Sequence, residues 1–143
     1  TFNPSILDEL LETGKEIIGV NSASRVFPIS STVALMDDKG NYKNPDNHPS
    51  WELKVPNEVF ECFAIGTGII LIKTEVFKKM KKPWFKFNMH KDGYMIEGED
   101  AWFCLQAKKI GYKIWCDGRQ NVGHIGETIF GDEIDIKLKE IYK

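Results

Sequence analysis

Three short clusters in this chain carry residue types that can do chemistry. The first is Gly98-Glu99-Asp100, two adjacent carboxylates at the start of a helical pattern. A helix N-terminus offers free backbone N–H groups and the positive end of the dipole, a setting that favours and aims negative charge. A carboxylate held there can take a proton from a hydroxyl as general base, while its neighbour hydrogen-bonds the same substrate. Taken locally, ordinary N-capping is the commoner use of carboxylates at this place.

The second cluster is Gly66-Thr67-Gly68, between two apolar runs. Glycines there permit a tight turn, a bulge or close approach of a ligand to the backbone. A bulge or turn is the commoner reason for them. Neither a P-loop lysine nor the spacing of a dinucleotide-binding fingerprint accompanies them. The third is Gly123-His124-Ile125-Gly126-Glu127, whose imidazole sits among small residues with room for a metal. One His makes no metal site by itself, so further ligands must come from elsewhere. His48 and His90 fall in polar stretches without evident partners. Of the four tryptophans, Trp84, beside Pro83, is the candidate to stack on a sugar face.

Positioning these groups takes an alternating set of helices and strands. Asn3 or Ser5 opens a helix whose Ile6, Leu7, Leu10 and Leu11 recur at helical spacing, and Gly14 stops it. Glu16–Val20 follows as a buried strand, and Thr32–Met36 as a second, closed by a turn over residues 37–41. Residues 44–50 read as a surface loop. Val59–Ile65 reads as one strand, with Phe60, Cys62 and Ala64 on one side. Ile69–Ile72 is a further aliphatic run, followed by a helix over Thr74–Met80 with Val76, Phe77 and Met80 as its apolar stripe. Trp84–Phe87 is expected to be extended and Asn88–Gly98 a loop. Asp100–Ile110 is the strongest helix, with Phe103, Ala107 and Ile110 in its stripe, Cys104 beside it and Gly111 closing it. Tyr112–Cys116 is a strand, Asp117-Gly118 a turn, and Asp132–Tyr142 a last amphipathic helix. Residues 1–143 therefore read as one mixed α/β domain.

Composition narrows the classes. At 143 residues, 42% hydrophobic and 12% aromatic, the chain can bury a core of its own. Its 19 basic and 21 acidic residues give a net charge of -2, without the basic excess of a nucleic-acid binder. No apolar run is long enough to span a bilayer. Three widely spaced cysteines, Cys62, Cys104 and Cys116, suit buried thiols rather than zinc or a disulfide framework, and favour a cytoplasmic setting. The chain opens on Thr1-Phe2-Asn3-Pro4 rather than Met, and a preceding segment is expected to be missing.

The order of these features carries a resemblance. Residues 63–87 (FAIGTGIILIKTEVFKKMKKPWFKF), then Gly98-Glu99-Asp100-Ala101-Trp102-Phe103-Cys104, Gly111-Tyr112-Lys113-Ile114 and Gly123-His124, resemble GT-A glycosyltransferases of the family 2 and galactosyltransferase-like types. The resemblance covers about residues 59–127. It implies a mixed-sheet GT-A domain, of which this chain is the C-terminal, acceptor-side part. It further implies transfer of a sugar from a nucleotide-sugar donor to a carbohydrate or other hydroxyl acceptor, with inversion. On the same resemblance Asp100 is the catalytic base and Glu99 an acceptor-binding residue. Gly66, Thr67 and Gly68 line the site, and His124 is a ligand of Mn²⁺ or Mg²⁺. The family's nucleotide-binding half and its Asp-x-Asp should precede this region, yet no Asp-x-Asp stands before it. Asp37-Asp38 is adjacent rather than spaced. The chain alone is thus expected to be incomplete for catalysis. The alternative is a non-catalytic glycan- or protein-binding module built on the same fold.

Overall fold

The computed structural model describes residues 2–24, 30–43, 55–120, 122–125 and 129–130. The chain opens with α1 (Ile6–Glu12), which buries Ile6 and Leu10 and leaves Leu7 and Leu11 more than half exposed. Strand β1 (Ile17–Val20) follows with all four residues buried. After it come β2 (Val33–Ala34), β3 (Val59–Cys62), β4 (Ala64–Ile65) and β5 (Ile70–Ile72). Then come α2 (Thr74–Lys79), the short strands β6 (Asn88–Met89) and β7 (Met95–Glu97), α3 (Glu99–Lys109) and β8 (Ile114–Asp117). The strands β9 (His124–Ile125) and β10 (Ile129–Phe130) pair with each other.

The main sheet has the order β3-β8-β1-β5. Its central pair, β1 and β8, is parallel, and both outer pairs are antiparallel. The expected α/β class with a mixed sheet is therefore what the chain forms. Parallel strands want cover on both faces, and two clusters supply it. One joins Ile17, Cys62, Ile65, Val76, Phe103, Cys104, Ala107, Ile114 and Cys116 under α2 and α3. The other packs Ile6 and Leu10 of α1 on Ile18, Val20 and Val122. The three thiols lie fully buried in the first cluster, as their apolar settings suggested. Burial pushes Cys104 up to about 11 and Cys116 up to about 12, and raises Cys62 further.

Several boundaries differ from expectation for tertiary reasons. The run Val59–Ile65 is two strands rather than one. Phe63 breaks it, donating its N–H to the Ala34 carbonyl, so β3 pairs with β8 while β4 pairs with β2. Residues 84–85 bend instead of extending, and residues 88–98 contain the β6–β7 hairpin rather than only a loop. Ile110 is 46% exposed because α3 ends at Lys109, where Gly111 adopts a φ of +91°. Asp117 belongs to β8 and is buried, not part of a turn. The expected helix at 132–142 and the loop at 44–50 lie outside the described residues. No helix among the described residues is long and apolar enough to cross a membrane.

Candidate functional site

The register of the main sheet gathers the candidate residues at one edge. Val20 of β1 lies beside Asp117 of β8 in the parallel pair, so the chain leaves both strands on the same side. β5 runs antiparallel to β1, with Gly19 opposite Ile70, so the segment 66–69 enters the sheet from that side. In open α/β sheets ligands bind outside the carboxyl ends of the parallel strands. That edge is where Asn21–Ser24, Gly66–Ile69, the start of α3 and Val122–Ile125 meet.

The first junction is Thr67 with Asp100. Thr67 Oγ1 donates to Asp100 Oδ1 at 2.5 Å, joining two motifs that lie 33 residues apart. A bond this short from a hydroxyl to a carboxylate is of the charge-assisted kind. The N-cap of α3 is Gly98, which has no side chain to cap with, so Glu99 and Asp100 occupy the first turn. Asp100 is thus turned toward the glycine-rich segment rather than used as a cap. Among the described residues Oδ1 alone is engaged, and Oδ2 is left available. Glu99 is half-buried beside it.

The floor under the glycine-rich segment is a pair of polar residues, Ser22 and Thr32, that sequence reading did not put forward as part of a site. Ser22 is 3% exposed and shares a 3.1 Å hydrogen bond between its hydroxyl and that of Thr32. Its N–H also donates to Thr32 Oγ1 at 3.1 Å. Asn21 Oδ1 accepts from the Thr32 N–H and from the Ser31 hydroxyl. Gly66 donates its N–H to the Thr32 carbonyl at 2.8 Å. A Cβ on Gly66 would fall 2.9 Å from Thr32 Cβ, and one on Gly68 would fall 3.2 Å from Ser22 Oγ. Close approach to this floor therefore demands a glycine at 66 and leaves little room for a side chain at 68. The signal that could have found it was present: the polar pair Asn21-Ser22 directly after a buried strand marks its carboxyl end.

His124 closes the other side. A Cβ built on Gly68 would sit 3.6 Å from His124 Nε2, so the ring faces the glycine-rich segment. Nδ1 lies 2.5 Å from the Ala23 carbonyl, which can only accept, so Nδ1 carries the proton. In the neutral ring this leaves the Nε2 lone pair pointing into the site, the arrangement that imidazole ligands of metals use. The fit to Mn²⁺ or Mg²⁺ stops at that one ligand. Among the described residues no three His, Cys, Asp or Glu side chains converge to hold an ion.

The remaining candidates have other partners or lie outside the described residues. Trp84 donates its indole N–H to the Met80 carbonyl at 3.3 Å, packs on Phe77 at 4.9 Å and lies under Lys82. These contacts make it part of the packing between α2 and the turn that follows. Trp102 donates to the Pro83 carbonyl, tying α3 to that same turn. His90 stacks on Tyr94 at the tip of the hairpin. His48, Trp51, Gly126 and Glu127 lie outside the described residues.

A scan against family models gives no match, and a search of curated proteins gives none either. Among solved structures the chain is similar to the viral protein in "Crystal Structure of A197 from STIV", with a TM-score of 0.52 and 16% identity. That likeness covers 89% of this chain and 53% of the A197 chain, so this chain spans about half the length of that neighbour. At this identity the likeness speaks for the fold alone.

Proposed function

We propose that this chain is the acceptor-side part of a GT-A type glycosyltransferase domain. In this reading it moves a sugar from a nucleotide-sugar to a hydroxyl acceptor with inversion. The observation that carries the reading is the Thr67–Asp100 hydrogen bond, which makes one site of two motifs distant in sequence.

With Oδ1 held by Thr67, Asp100 offers Oδ2 to the acceptor hydroxyl. The proton passes to Oδ2 while the acceptor oxygen forms its bond to the anomeric carbon from the side opposite the diphosphate. The bond from that carbon to the donor phosphate breaks, and its electron pair leaves with the nucleoside diphosphate. Glu99 lies beside Asp100 to receive a second acceptor hydroxyl. Gly66 and Gly68 keep this backbone close against the Ser22–Thr32 floor, which holds Thr67 in place beside Asp100. His124 Nε2 is the one described atom that could hold a divalent cation. Such an ion neutralises charge on the departing diphosphate when bound.

The test uses the full-length protein. Asp100→Asn keeps the Thr67 contact, since the amide oxygen still accepts, but removes the base. Transfer should fall by about 10²–10⁴-fold with acceptor binding retained. Transfer at the original rate by that variant would falsify the assignment. Glycan binding by the wild type with no transfer at all would instead identify a binding module.

A further inference from the structure

Residues 78–96 hold six of the chain's 19 Lys and Arg but one of its 21 Asp and Glu. In a chain of net charge -2 this is a concentrated basic segment on an otherwise acidic protein. All six lysines (Lys78, Lys79, Lys81, Lys82, Lys86 and Lys91) are exposed. Only Lys78 lies in an ion pair with a described residue, Glu75 at 3.7 Å. Lys82 and Lys86 lie over the rings of Trp84 and Trp102.

The same segment holds the densest run of exposed apolar side chains. Phe85, Phe87, Met89, Tyr94, Met95 and Ile96 are between 41% and 59% exposed. Most belong to the β6–β7 hairpin, which pairs with no other strand among the described residues. Met89 and Met95 are direct partners across that hairpin. An isolated two-stranded hairpin is marginal in water, and exposed apolar side chains concentrated on one such hairpin mark an interaction surface.

Exposed cationic and exposed apolar side chains in one segment match one partner chemistry. We propose that the hairpin and its lysine collar dock on the surface of an anionic lipid bilayer. The apolar tips enter the acyl boundary, and the lysines meet the headgroup charge. A two-fold dimer through this face would set one lysine collar against another, which like charge opposes. Nucleic acid fits less well, because the segment has no Arg and half of its exposed apolar side chains, Met89, Met95 and Ile96, are not rings that bases could stack on. The hairpin runs directly into Gly98-Glu99-Asp100, so docking holds the candidate site beside the lipid surface. The inference goes beyond the transferase reading and stands without it.

Co-sedimentation of the chain with lipid vesicles tests it with no donor or acceptor present. Vesicles of phosphatidylcholine with about one third phosphatidylserine should carry the protein down, pure phosphatidylcholine should not, and high salt should release it. Phe87→Ser with Met95→Ser, and separately Lys81→Gln with Lys82→Gln and Lys86→Gln, should each lower partitioning by about tenfold or more. These side chains are exposed, so far-UV circular dichroism should not change. Leu11→Ser, an exposed apolar change on α1, should leave binding intact. Three results would overturn the proposal: failure to bind the mixed vesicles, equal binding to both vesicle types, or loss of self-association or RNA binding as the only effect of the variants.

Discussion

Replacing Thr67 with Val removes the hydroxyl that holds Asp100 while leaving the side chain's shape nearly unchanged. The bond at stake is 2.5 Å long, links a hydroxyl to a carboxylate and is partly buried. Hydrogen bonds to charged groups contribute about 1.5–3 kcal/mol net, and partial solvent access lowers that to roughly 1–2 kcal/mol here. A double-mutant cycle isolates it. Thr67→Val, Asp100→Ala and the double variant are unfolded in urea, and the coupling is the failure of the two single losses to add. At a slope of about 2 kcal/mol per M, the expected coupling corresponds to roughly 0.5–1 M in midpoint. Thr67→Ser, which keeps the donor, should retain most of the coupling. A coupling below about 0.3 kcal/mol, inside the usual error of additivity, would refute the claim that Thr67 fixes Asp100.

Two further outcomes follow from the same geometry. Gly66→Ala must push Thr32 aside and should cost about 1–3 kcal/mol, whereas Gly98→Ala meets nothing within 4 Å and should cost under about 1 kcal/mol; equal losses in urea unfolding would refute the close-packed floor. At the end of β8, the Arg119 guanidinium holds the buried Asp117 carboxyl below its usual range. A depressed carboxylate stabilises the fold above its unfolded value, about pH 4, and that stability is lost as pH falls through the lower folded value. The difference in Tm between wild type and Asp117→Asn should therefore be full at pH 7 and shrink from pH 4 downward. A difference that does not change with pH would sink this account.

The elements that announce themselves locally are the ones a reader of the sequence can place. The spacing of Phe103 and Ala107, with Gly111 behind them, sets α3, because helix periodicity and its stop are properties of neighbouring residues. The apolar run before Val20 gives β1 for the same reason. Strand pairing is not local. Nothing near Val59–Ile65 says that Phe63 must break the run so that β3 can join β8 and β4 can join β2. Asp92-Gly93 and Glu97-Gly98 make residues 88–98 read as a loop, and the pairing across Gly93 depends on backbone hydrogen bonds that composition does not reveal.

The candidate site divides along the same line. Residue types alone put forward Gly98-Glu99-Asp100, Gly66-Thr67-Gly68 and His124, since carboxylates at a helix start, paired glycines and a His among small residues are legible as chemistry. Only the fold decided that Thr67 reaches Asp100, that His124 faces Gly68, and that Ser22 and Thr32 form the floor between them. It also turned Trp84 into packing for α2. The physical reason is the parallel pairing of β1 with β8. It brings segments about a hundred residues apart to one sheet edge, and no pattern within either segment encodes that proximity.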